Sequence, residues 1–242
     1  MPVNEESLPH ELLPPRPRER GPVLAKSRAT RVRDPERRER IIDAAAVLIS
    51  QRGYLGVSLS EIGSAAGIVG SGIYRHFDNK GAILVEIFDR VVDHLMASAE
   101  QSFTVSPDSQ TTLGILVNDQ VELVLRDRAL CQVYVREARN LPEQGRLRLR
   151  WKQRHYVALW EDALRALRPG TDVETARLVV RAAISSIHSV LNINSDLPTA
   201  RAAVSLRDAA CRVLQIEPQP FEGVREIELA STSGNTSSTA SS

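Results

Sequence analysis

Apolar residues recur along this chain at helical spacing almost from end to end, and no stretch alternates as a strand would. Asp34 and Pro35 make a helix start, with the proline in the first turn. Ile41, Ala44, Ala45, Leu48 and Ile49 then form an apolar stripe that stops at Gly53. Ser58, followed three residues later by Glu61, is a capping box: hydroxyl and carboxylate each satisfy a free N–H of the first turn. Leu59, Ile62 and Ala66 give the capped helix a small apolar face that Gly67 closes. Gly70-Ser71-Gly72 opens a second short helix carrying Ile73, Tyr74, Arg75, His76 and Phe77. Two short helices around a tight turn, the second slim at its start and rich in donors, predict a DNA-reading helix-turn-helix.

The turn Asp78-Asn79-Lys80 launches a long helix with Leu84, Ile87, Phe88, Val91 and Leu95 on one face, running to about Phe103. Further helices are predicted at about 110–126, 129–139, 143–167, 172–193 and 199–215, punctuated by Pro107, Pro142, Pro169-Gly170 and Pro198. The fold class is therefore all-α. Residues 1–32, broken by prolines, read as a disordered basic arm, and 217–242 as a disordered tail rich in Ser and Thr. Between them lie a reading domain, 33–80, and a helical body, 81–216.

At 242 residues and 42% hydrophobic, the chain has enough apolar material for well-buried cores. It contains no apolar run of membrane-spanning length and no signal-peptide core near its start, so a cytoplasmic, nucleoid-associated protein is expected. Cys131 and Cys211 are expected to be buried free thiols, and no cofactor or metal is expected. A net charge of +1 argues against nucleic acid until its distribution is seen. Arg16, Arg18, Arg20, Lys26, Arg28, Arg31, Arg33, Arg37, Arg38 and Arg40 crowd the segment before and into the first helix. Such a cluster beside a helix-turn-helix suits phosphate binding, although residues 16–26 can equally be a solvated tail.

Residues 37–80 resemble the DNA-binding domain of the tetracycline-repressor (TetR) family of bacterial transcription regulators. The resemblance rests on Ile41, Ala44, Ala45, Leu48, Gly53-Tyr54, Ser58-Leu59, Ile62, Ala65-Ala66-Gly67, Ile73-Tyr74-Arg75-His76-Phe77 and Asn79-Lys80, in order and spacing. Residues 81–216 match only in being helical and of the right length. The resemblance implies an all-helical homodimer with a three-helix DNA-binding head and a divergent ligand-binding body. Where many members carry Ser and then Lys or Pro, this chain has Val69-Gly70, so the turn lacks the usual hydroxyl and charge.

Candidate DNA contacts follow residue by residue. Ser58 caps its helix and offers the helix end to a phosphate. Gly70, Ser71 and Gly72 let the backbone approach closely, with the Ser71 hydroxyl free for a base edge or phosphate. Tyr74 can hold a phosphate or serve only in packing; Arg75 can read a base or a phosphate through its donor fork. His76 and Lys80 are phosphate candidates. A dimer would place two such segments about 34 Å apart on a near-palindromic operator. Its seam is expected along Leu178, Ala182, Ile187, Val190 and Leu191 on one helix and Leu206, Ala210, Val213 and Leu214 on the next.

Phe88, Leu95, Leu125, Tyr134, Glu137, Asn140, Tyr156, Trp160 and His188 are candidates for an effector pocket, though each can instead be plain core. The segment 134–142 is similar to family members that respond to acyl-coenzyme A or other lipid-derived ligands. The function expected is a ligand-responsive regulator, a repressor by family default. An activator of the same fold is the alternative. A helical enzyme lacks a phosphate-loop frame, metal spacing or a nucleophile elbow, and a non-DNA interaction module leaves the basic arm unexplained.

Overall fold

The computed structural model describes residues 35–105, 108–193 and 196–219. Among these the chain forms eight α-helices and no strand: α1 (Pro35–Arg52), α2 (Leu59–Ala65), α3 (Lys80–Val105), α4 (Ser109–Arg126), α5 (Arg128–Arg136), α6 (Glu143–Leu167), α7 (Val173–His188) and α8 (Thr199–Leu214). Three short 3-10 segments interrupt them at Gly70–Arg75, Ala138–Asn140 and Ser189–Asn192. The expected basic arm, apart from its last residues, lies outside the described residues, as does most of the tail.

Local chemistry sets the ends. Gly53 terminates α1 at φ +74°, a left-handed position that a glycine occupies without penalty. Asp108 and Asp172 cap α4 and α7 by accepting the N–H groups of Thr111 and Thr175, each at 2.9 Å. The second helix of the reading pair is a departure from expectation. It is a six-residue 3-10 segment, held by i+3 bonds such as His76 N–H to the Ile73 carbonyl at 2.9 Å. Two glycines in six residues weaken an α-helix, and so short a piece gains little from α geometry. The predicted helices 129–139 and 172–193 likewise end early, at Arg136 and His188, each tightening into a 3-10 turn.

One apolar core runs from head to body without a break. Ile41, Ile42, Ala45 and Ile49 of α1 join Ile62, Ile73 and Phe77, then Leu84, Ile87 and Phe88 of α3, and continue into α4. The body is organised on α4, which packs against α3, α6, α7 and α8, while α5 sits against α1. Cys131 and Cys211 are free and buried, and burial pushes their thiols up to about 12 and about 11. Among the described residues no helix is long and apolar enough to cross a membrane.

Candidate nucleic-acid interface and effector cavity

The capping box of α2 is fully formed. The hydroxyl and the N–H of Ser58 both donate to the Glu61 carboxylate, at 2.6 and 2.8 Å, and the Glu61 N–H donates back to the Ser58 hydroxyl at 3.2 Å. Those bonds and the Arg52 guanidinium hold the carboxyl down at about 2. Ser58 thus caps α2 as expected, with its own hydroxyl and N–H both directed to Glu61.

In the 3-10 segment side chains three apart share a face. Ile73 is buried and closely approaches Gly63, where an added Cβ would lie 3.4 Å from it. Ser71 and Tyr74 share a second, exposed face, and Arg75 is exposed beside them. His76 is half-buried. Gly72 serves packing as much as approach: a Cβ there would sit 2.7 Å from Cγ2 of Ile68.

Two cations expected at the DNA are turned inward. Lys80 donates to the carbonyls of Tyr54 and Val57 at 2.5 and 2.6 Å, and its ammonium lies 4.2 Å from the centre of the Tyr54 ring. It stitches the start of α3 to the α1–α2 turn, which corrects its reading as a free phosphate anchor. Arg38 donates to the His76 carbonyl at 3.1 Å, pairs with Glu86 at 2.7 Å and lies 4.3 Å from the centre of the Phe77 ring. It joins α1, the end of the reading segment and α3.

Residues of α3 to α7 line a solvent-open cavity of about 1020 Å³. Four of the nine expected residues line it: Leu95, Tyr134, Tyr156 and His188. The other five do not, for identifiable reasons. Phe88 is core, its ring centre 5.2 Å from that of Tyr134, Trp160 is wholly buried, and Leu125 packs against the core. Glu137 and Asn140 bond to each other and toward the head: Asn140 donates to Glu137, which accepts the Tyr54 N–H at 3.3 Å.

Gln120, Gln153, Glu161, Arg177 and Arg181 join the polar lining, the last four without a signal in the sequence that singles them out. The Tyr156 hydroxyl donates to the Gln120 carbonyl oxygen at 2.8 Å, and the Gln120 amide meets His188 Nε2 at 2.9 Å. Burial lowers His188 to about 4, so the ring is neutral near pH 7 and accepts from that amide. Gln153 donates to the Tyr134 hydroxyl at 2.8 Å. Arg150, Arg154, Arg177 and Arg181 also line the space, against one acid, Glu161. Arg177 pairs with Glu161 and Glu174, at 3.3 and 2.8 Å. Arg150, Arg154 and Arg181 make no ion pair among the described residues. The neighbouring Arg148 and Lys152 instead brace α6 against Asp89 of α3. Among the described residues no cluster of His, Cys, Asp and Glu could hold a metal ion.

The expected dimer seam needs correction. Ile187, Val190, Leu191, Ala210 and Leu214 are buried within the protomer, and Leu206 and Val213 pack against its core. Exposed apolar side chains on these helices include Leu178, 70% exposed, and Ala182 on α7, and Val204 on α8.

Residues 41–87 match the sequence model described as bacterial regulatory proteins of the tetR family, and residues 106–192 match the tetracyclin repressor-like C-terminal domain. Over 147 residues the chain is 29% identical to the HTH-type transcriptional repressor KstR2 of Rhodococcus jostii (strain RHA1), spanning 58% of this chain and 72% of that protein. A TetR-family regulator of Bordetella parapertussis 12822 superposes with a TM-score of 0.65 at 28% identity, covering 74% of this chain and 92% of that one. AibR, solved with isovaleryl coenzyme A and operator DNA, shares the fold at a TM-score of 0.63 and 19% identity, over 75% of this chain and all of that one.

Proposed function

Since the chain belongs to the TetR family of bacterial regulatory proteins, we propose that it is a homodimeric repressor that leaves its operator when an anionic, amphipathic ligand fills the body cavity. One observation carries this reading: cavity wall and head contact are the same short segment. Tyr134, Val135 and Ala138 line the space, while Glu137 among them accepts the Tyr54 N–H of the head. A ligand that displaces the wall moves the group that holds the head, and so favours one head spacing over another.

The ligand class follows from the lining. Leu95, Val157 and Ile184 give apolar walls, and the unpaired guanidinium groups of Arg150, Arg154 and Arg181 suit phosphate or carboxylate. An acyl thioester of coenzyme A combines both ends, as does the ligand in the AibR crystals. At the other end of the molecule, Ser71, Tyr74 and Arg75 carry the DNA contacts, with Gly70 and Gly72 allowing close approach and His76 at the edge. The outward strip of Leu178, Ala182 and Val204 takes the second protomer.

The test is selection of duplexes from a random pool by the full chain, followed by titration of the bound complex with coenzyme A thioesters from acetyl to palmitoyl. Sequence-specific, steeply salt-dependent binding that at least one thioester releases is expected. Binding with no sequence preference refutes the regulator reading. Release by none of the thioesters refutes the ligand class, and the mass of one chain in gel filtration at micromolar concentration refutes the dimer.

A further inference from the structure

We infer that Val69 is a specificity-determining residue, reading the methyl group of a thymine in the operator's major groove. The inference rests on the DNA-binding role proposed above, and names a contact that neither the family pattern nor the donor-rich residues supply. Val69 is 93% exposed and stands immediately before the reading segment, in extended backbone at φ −86° and ψ 135°. Its side chain has no hydrogen-bonding atom, so an exposed place in this turn offers only an apolar surface.

Its position is fixed from both sides. The Ile68 N–H donates to the Gly63 carbonyl at 2.8 Å, and the Ile68 side chain is packed against the core. The Gly72 N–H donates to the Val69 carbonyl at 3.3 Å. Ile68 also lies over Gly72, where an added Cβ would come within 2.7 Å of its Cγ2. A β-branched side chain is stiff at χ1, so little rotamer freedom remains to be lost on contact. The group is thus preorganised, apolar and next to Ser71, Tyr74 and Arg75, which are exposed donors.

On the major-groove edge of a base pair, the C5-methyl of thymine is the apolar group, and small apolar side chains are what recognise it. A valine at this place gains from burial against that methyl. Against cytosine it covers the edge without gaining that contact.

The experiment uses the duplex selected by the full chain and replaces each thymine in turn by deoxyuridine, which removes only the methyl. For the unaltered chain, one thymine per half-site is expected to lose about four-fold in affinity, the effect of one methyl no longer buried. For Val69→Ala, whose lone Cβ reaches less far and buries less of that methyl, the same replacement should cost clearly less than four-fold, and Val69→Thr, which keeps a γ-methyl, should retain most of the effect. Unchanged thermal unfolding of Val69→Ala separates this from misfolding. If no deoxyuridine position distinguishes the unaltered chain from Val69→Ala, the contact is overturned while DNA binding stands. A selection that recovers no duplex overturns the regulator reading and the contact with it.

Discussion

Replacing Arg38 by Ala separates a cation that holds the head together from one that holds DNA. Three interactions are lost at once. The guanidinium over Phe77 contributes about 0.5–1 kcal/mol, and the bond to the His76 carbonyl about 1 kcal/mol. The fork onto Glu86, with the Arg38 side chain 40% exposed and Glu86 39%, is discounted to about 0.5 kcal/mol for solvent screening. Together they amount to about 2 kcal/mol, which for a chain of this size lowers Tm by about 4–8 °C. Arg38→Lys keeps a charge near the ring but loses the fork, and should recover about half of the loss.

The decisive assay is the dependence of operator affinity on salt. A phosphate contact adds about 0.9 to the slope of log affinity against log salt. Arg38 is turned inward, so Arg38→Ala should weaken binding on all sequences alike, by loosening the end of the reading segment, and leave that slope unchanged. A mutant with unaltered Tm and a slope reduced by about 0.9 would refute the assignment and return Arg38 to the basic arm.

Two further outcomes follow from the geometry. His188 is held near 4 by burial, against about 6.5 in the unfolded chain, so the unfolded state takes up the proton first as pH falls. Stability is full above about pH 6.5 and declines toward pH 4, by up to about 1.4 kcal/mol per pH unit. In urea titrations at pH 7 and pH 5, His188→Gln should show a smaller loss than the unaltered chain, and an equal loss would contradict the burial. Gly72→Ala puts a Cβ 2.7 Å from Ile68 Cγ2, so about 1–3 kcal/mol of stability and at least about ten-fold in operator affinity should go. Gly170→Ala, with nothing within 4 Å, is the control and should leave both unchanged.

Beyond the shared apolar core, polar contacts tie the head to the body. Arg38 and Lys80 fasten α1 and the α1–α2 turn to α3 and the reading segment. Arg136 and Gln132 fasten α5 to the Leu191 carbonyl beyond α7, at 2.8 and 2.9 Å. Between these two sets lies the Glu137–Asn140 pair, with its single bond to the head at Tyr54.

What was legible in the sequence is what local chemistry decides. The helix predicted at 143–167 is α6 to the residue, because Pro142 and Pro169-Gly170 bound it whatever packs against it. The capping box formed as written, since all its atoms lie within four residues. Lys80 was misread because an exposed lysine before a helix looks the same whether it faces a phosphate or the carbonyls of Tyr54 and Val57; only the approach of a distant turn decides. The seam on α7 failed differently. One stripe, Ala176, Val180, Ala183 and Ile187, faces inward, and another, Leu178 and Ala182, faces out, and helical periodicity assigns neither to a partner. The cavity left a usable trace. Gln120 stands among Leu116, Val117, Val121 and Val124 on the buried face of α4, and a buried amide there requires partners that an apolar core cannot supply. Tyr156 and His188 are those partners, so a single polar residue on an apolar face marks the lining.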